Sequence, residues 1–467
     1  MSDPAELTIA EASRAIARRD LSPVELTRAC LARVERLNPA LNAFVVVTAE
    51  SALEEAARAE AELLAGKYRG PLHGIPVAYK DLFDTAGVET AAGSAVLRGR
   101  VPDRDAAVVA RLRAAGMVML GKTNTHEFAW GTTTNNPHTG PTRNPWDPER
   151  IPGGSSGGSG AAVAARMCPA ALGTDTGGSI RIPAALCGCV GLKPTFGRVS
   201  RAGIIPMSWQ FDHPGPLARS VEDAALVLQA VAGYDPEDFA TVPVPVPDFA
   251  DALVPDVRGL RIGVPRDQFF GLLDPEVLVA VEEALEVLRG LGAAVDDVES
   301  GFTREDIIAA WRLVNVEGRL YHAPWLEQSP EAYSEELRGV LLQPLPEPLD
   351  LSAAYLASYR VKEAVRRLFE QVDLLVTPTT MRAASRIGED PVQVEGIELS
   401  TGAAFASLTM PFNVAGTPAV SIPCGFTSDG LPIGLQLAGR PFDEVTVLRA
   451  AFAFECATDW HRRAPAV

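Results

Sequence analysis

Positive charge, histidine and cysteine are all scarce in this sequence, and each scarcity removes a class of function. Forty-two Lys and Arg stand against 59 Asp and Glu across 467 residues, a formal net charge of −17. An extended phosphate-binding surface needs the opposite balance, so direct nucleic-acid binding is not expected. Cys30, Cys168, Cys187, Cys189, Cys424 and Cys456 form no framework, and the single residue between Cys187 and Cys189 is too tight for a C-x-x-C zinc or redox site. They read as buried thiols. With six histidines scattered singly, no His/Cys/carboxylate cluster has ligand spacing, and neither a metal nor an organic cofactor is expected. No run approaches the ~20 apolar residues of a membrane helix, and MSDPAELTIAEASRAIARRD lacks the basic and apolar regions of a signal peptide. The expectation is a cytoplasmic protein that makes no membrane contact.

What is present is ordinary globular material, 47% hydrophobic and 22% charged, long enough to bury a sizeable core. LSPVELTRACLARVERLNPALNAF predicts a helix with Ser22 as N-cap and Pro23 at its first position, and AESALEEAARAEAELLAG predicts a second. DAAVVARLRAAGMVMLGKTN, then VRGLRIGVP with EVLVAVEEALEVLRGLGAAVDDVE, then QVDLLVTPTT, alternate helix and strand. GTPAVSIPCGF and LPIGLQLAGRP flank the turn TSDG as a hairpin, and DEVTVLRAAFAFECATDW closes the chain as a helix. The pattern predicts an α/β fold: one compact domain over 1–467, with a mixed sheet covered by helices on both faces. The Pro-rich stretch Thr241 to Asp256 is expected to cross the surface rather than link domains.

The ten residues IPGGSSGGSG, from 151 to 160, admit three readings: linker, phosphate cradle, or serine chemistry. A small-residue helical pattern and a second turn, GTDTGGSIRIPAALCG, follow at once, which disfavours a linker. The Gly-Lys-Ser/Thr ending of a phosphate loop is missing. Gly153 to Gly157 match G-x-S-x-G, but NPWDPERIP before them is no strand, and none of His213, His322 and His461 sits where a base would be marked.

GGSSGGS, GTDTGGSIRIPAALCGCVGLKP and GIPVAYKDLFDTAG, with VAGTPAVSIPCGFTSDGLPIGLQLAGRPFDE near the end, closely resemble the amidase signature family of amide hydrolases. The resemblance covers most of the chain. It implies N-terminal helices over about 5–65, a catalytic core over about 66–235, a variable substrate region over about 236–400 and C-terminal strands and helix over about 401–467. It also implies a Ser-cisSer-Lys triad of Lys80, Ser155 and Ser179, with the cis peptide at Gly154–Ser155. Thr176, Gly177 and Gly178 would form the oxyanion hole, Ser156, Asp175 and Arg181 would support the triad, and Ala129, Trp130 and Gly131 would line the acyl pocket. The chemistry is self-consistent. A serine hydroxyl needs a base, and a lysine serves only if burial holds it neutral near pH 7.

The resemblance implies hydrolysis of a small-molecule amide to carboxylate and amine, through an acyl-enzyme, with a homodimer possible. Two alternatives stay open: the glutaminase component of a tRNA-dependent amidotransferase, and a carbamate or urea hydrolase of the same family. A binding module that kept the scaffold is disfavoured, since all three triad residues are present. In the amidotransferase glutaminases an arginine and an aspartate grip the two charged ends of glutamine, and an ungapped count puts Ser358 and Ala406 at those positions, with Arg360 near enough for a shifted alignment to restore the arginine. Trp311, Tyr321 and Trp325 are expected as pocket walls.

Overall fold

The computed structural model describes residues 3–467. Its strands are β1 (Phe44–Val47), β2 (Pro76–Lys80), β3 (Val118–Thr123), β4 (Asn135–Asn136), β5 (Gly140–Pro141), β6 (Ala170–Asp175), β7 (Val190–Lys193), β8 (His213–Ala218), β9 (Arg261–Val264), β10 (Ala294–Asp297), β11 (Leu374–Pro378), β12 (Val392–Val394), β13 (Ile397–Leu399), β14 (Ala419–Phe426) and β15 (Pro432–Gly439). Eleven of them form one sheet in the order β1-β3-β2-β6-β8-β7-β14-β15-β11-β9-β10. The pairs β3/β2, β2/β6, β11/β9 and β9/β10 are parallel and the others antiparallel, so the sheet is mixed. Successive strand residues point to opposite faces. Every residue of β2, β6, β7, β8 and β15 is buried, so both faces are covered, and helices do the covering.

Local chemistry sets the elements. Ser22 accepts from the amides of Val24 and Glu25 while Glu25 reaches back to the Ser22 amide, a capping box that starts the helix Pro23–Leu41. β14 and β15 pair antiparallel around Thr427–Gly430, as the turn signal predicts. The Pro-rich stretch carries no helix or strand, and Phe249 pins it to the core, fully buried. Among the described residues, no helix is long and apolar enough to cross a membrane. One cysteine departs from the expectation: five are buried, but Cys456, near the end of the last helix, is exposed.

Candidate active site

Lys80 ends β2, an interior strand of the sheet, and its side chain is fully buried. Its Nζ lies 2.7 Å from Ser155 Oγ and 2.8 Å from Thr174 Oγ1. Ser155 follows the cis Gly154–Ser155 peptide and precedes the helix Gly157–Ala164, so it stands over the end of β2 rather than on a strand-to-helix elbow. Burial pushes the Lys80 ammonium down to about 7, against the opposing pull of Asp212 and Asp175. A lysine of this kind is neutral in a substantial fraction of molecules at neutral pH.

β6 ends at Asp175, and residues 176–180 turn into the helix Arg181–Cys187. Asp175 organises that turn from a fully buried position. Its Oδ1 accepts from the Gly178 amide at 2.9 Å and its Oδ2 from the Ile180 amide at 3.1 Å. Arg181, equally buried, donates to the same carboxylate at 2.7 and 3.0 Å, and reaches Asn413, Gln436 and the Thr409 carbonyl with its other protons. Burial alone would raise the Asp175 carboxyl. The charge and hydrogen bonds of Arg181 reverse this and hold it well below the usual carboxylate range. This is a buried, bidentate pair, not a surface ion pair. Ser156 Oγ donates to the Thr174 carbonyl at 3.2 Å, and its backbone amide to the Ser179 carbonyl at 3.2 Å, bracing the turn against the serine loop.

The sequence assigns the oxyanion donors to Thr176, Gly177 and Gly178, and the geometry revises this set. The Gly178 amide is spent on Asp175, whereas those of Thr176, Gly177 and Ser179 have no protein acceptor among the described residues. Gly178 has φ +130°, and a Cβ there would overlap Thr409 Oγ1; at Gly177 a Cβ would stand 2.8 Å from the ring of Trp311. Both glycines are required by backbone geometry or by close approach.

Ser179 opens onto a cavity of about 760 Å³. Ala129, Trp130 and Gly131 line it, as do Trp311, Met410 and Phe269. Tyr321 and Trp325 do not. They pack on each other, ring centroids 5.4 Å apart, and both lie against His322, because they sit on a different part of the helix Arg304–Gln328 from Trp311. Ala406 lines the cavity and brings no charge. Ser358 is buried within the helix Pro348–Gln371 outside the lining, while Arg360, two positions on and therefore on another face, is exposed and pairs with Asp306 at 3.7 Å. Neither Ser358 nor Arg360 therefore reaches the cavity.

Three polar residues of the site are not singled out by the motif. Thr174 holds Lys80 and sits two residues before the turn in GTDTGGS, a signal available in the sequence. His126, buried at the cavity wall with its Nε2 3.6 Å from Glu336, and Asn413, donating to Asp175 at 2.8 Å, come from loops and helices distant in sequence. Nothing local announces them.

A family model described as Amidase matches residues 25–448. The chain is 45% identical to the A subunit of the glutamyl-tRNA(Gln) amidotransferase from Geobacter metallireducens, over 98% of each protein. Among solved structures it resembles a chain of a vestigial protein complex that bears on the origins of an s-triazine catabolic enzyme, with TM-score 0.91 and 38% identity over 96% of this chain and 98% of the other. It also resembles a bacterial aryl acylamidase, with TM-score 0.89 and 29% identity over 98% of each.

Proposed function

Because this chain belongs to the amidase family, we propose that it hydrolyses a carboxylic amide C–N bond through an acyl-enzyme on Ser179, with Ser155 and Lys80 as the proton relay. The observation that carries this reading is the 2.7 Å contact from Lys80 to Ser155 beside a cavity that Ser179 lines. Neutral Lys80 takes a proton from Ser155, Ser155 takes one from Ser179, and Ser179 Oγ attacks the carbonyl carbon. The oxyanion is received by free amides of the turn, those of Thr176, Gly177 and Ser179. The relay returns its proton to the departing nitrogen, the C–N bond breaks, and an ester at Ser179 remains. Water then adds by the same route and releases the carboxylate. Asp175, Arg181 and Ser156 keep the turn rigid, and Ala129, Trp130 and Gly131 form part of the acyl wall.

The relatives favour a second reading, the glutaminase component of a tRNA-dependent amidotransferase, more than a free-standing amidase, since the similarity runs nearly end to end. Two positions weigh against glutamine: Ser358 lies outside the cavity lining and Ala406 brings no charge, although Asp267, Arg304, Glu336 and Asp390 also line the cavity. We therefore assign amides with uncharged aliphatic or aromatic acyl groups as the preferred substrates. An activity screen with acyl-para-nitroanilides, alkyl and aryl amides, and glutamine decides the matter. Turnover of simple amides above glutamine supports this assignment, and glutaminase activity above every simple amide establishes the second reading.

A further inference from the structure

The Lys80 partner Thr174 lines a second cavity of about 240 Å³ together with Arg201, Ser208, Trp209 and Asp212, none of which lines the substrate cavity. Asp212 lies on the loop before β8 and is buried. Its Oδ1 accepts from Thr176 Oγ1 at 2.5 Å, the first residue of the turn that carries Ser179. Its Oδ2 accepts the amides of Met207 and Ser208 at 2.9 and 3.0 Å. Ser208 and Gln210 in turn donate to Glu317 on the helix Arg304–Gln328, the helix whose Trp311 lies against Gly177. The carboxylate thus ties the catalytic turn to the wall of the substrate cavity.

The charges around it leave Asp212 a further task. Asp175 is neutralised in contact by Arg181, and Arg201 by Asp238 at 2.8 Å. Near Asp175, Lys193 donates to the carbonyls of Pro194 and Thr417, and burial holds both its ammonium and the His213 imidazole well below their ordinary values. Among the described residues Asp212 has no ion-pair partner, and it shares the lining of this cavity with Thr174, whose hydroxyl lies 2.8 Å from Lys80 Nζ; burial raises its carboxyl, and the hydrogen bonds from Thr176, Ser208 and Met207 oppose that. We infer that Asp212 is a positioning residue with two roles: it anchors the Thr176–Ser179 turn through Thr176, and its carboxylate is the counter-charge for the ammonium that Lys80 becomes during acylation. The bonds balance. Ser155 passes its proton to Lys80 as it takes the one Ser179 Oγ gives up, the ammonium so formed lies against Thr174, which shares a cavity lining with Asp212, and one proton returns through Ser155 to the departing nitrogen as the C–N bond breaks.

This inference rests on the acyl-enzyme reading, and its test separates the two. The probe is a fluorophosphonate, whose attachment rate at Ser179 is followed from pH 5 to 9 in wild type, Asp212→Asn and Thr176→Val. Wild-type rate should rise with pH to a plateau, with a midpoint near 7. Asp212→Asn removes the negative charge, so the Lys80 ammonium is less favoured and the midpoint should move down by roughly one unit. Thr176→Val keeps the charge and loses the anchor, so its midpoint should stay while the plateau falls about tenfold. A purely structural carboxylate would change the plateau in both variants and the midpoint in neither. An unshifted midpoint in Asp212→Asn overturns the counter-charge. A wild-type plateau in Thr176→Val overturns the anchor, and remains decisive should Asp212→Asn not fold. Absence of labelling in the wild type contradicts the acyl-enzyme reading itself, not the part given to Asp212.

Discussion

Lys80 must be neutral for the relay to begin, and burial brings its ammonium to about 7. Activity should therefore fall as pH drops below that value, because the protonated amine has no lone pair to offer, and it should level off above it. Lys80→Arg should be inactive at every pH, since a guanidinium does not deprotonate in this range. Ser179→Ala should abolish acylation, whereas Ser155→Ala should slow it by several orders of magnitude and leave the acceptor hydroxyl in place. Steady-state kinetics across pH 5 to 9 on the four proteins reads all of this. Near-wild-type turnover by Ser179→Ala would reject the nucleophile. These residues are legible in the sequence because each stands within a long motif. Thr174 is within reach of the same reasoning, whereas Asp212, 38 residues beyond Thr174, takes part through tertiary contact alone.

At the scale of elements, the decisive piece is the turn between β6 and the helix Arg181–Cys187. Gly178→Ala meets both a backbone conformation that side chains rarely adopt and the hydroxyl of Thr409, so it should cost at least about a hundredfold in kcat. Arg181→Ala leaves Asp175 buried and unpaired, and should destabilise the protein by about 3–5 kcal/mol in urea unfolding. Equal stability of this variant and wild type would contradict the part given to the pair. Strand and helix periodicity makes β9, β10, β11, β14 and β15 readable, because apolar alternation and turn residues are local properties. The pocket walls are less so. Trp311, Tyr321 and Trp325 share one helix, and only the packing of that helix decides that Trp311 faces the cavity while the other two pack among themselves and His322.

For the molecule as a whole, the active site is held against a stability cost. A lysine buried with its ammonium near 7 binds fewer protons folded than unfolded between about pH 7 and its ordinary value of 10.5, so its contribution to stability rises with pH across that window. Lys80→Met removes the buried amine, and should be inactive yet melt several degrees above wild type at pH 7, with the gap narrowing toward pH 10. A gap that widens with pH would mean that Lys80 is not the source. Strand order and sheet mixture are foreseeable from alternation only in outline, since the pairing of β8 between β6 and β7 joins segments by long-range contacts that no local pattern encodes.

The central claim is that Ser179, and no other serine, carries the acyl group. Intact-protein and peptide mass spectrometry after fluorophosphonate treatment tests it most directly. One adduct per chain is expected, on the peptide containing Ser179, absent from Ser179→Ala and severely slowed in Lys80→Arg. An adduct on Ser155, or one that persists in Ser179→Ala, would contradict it.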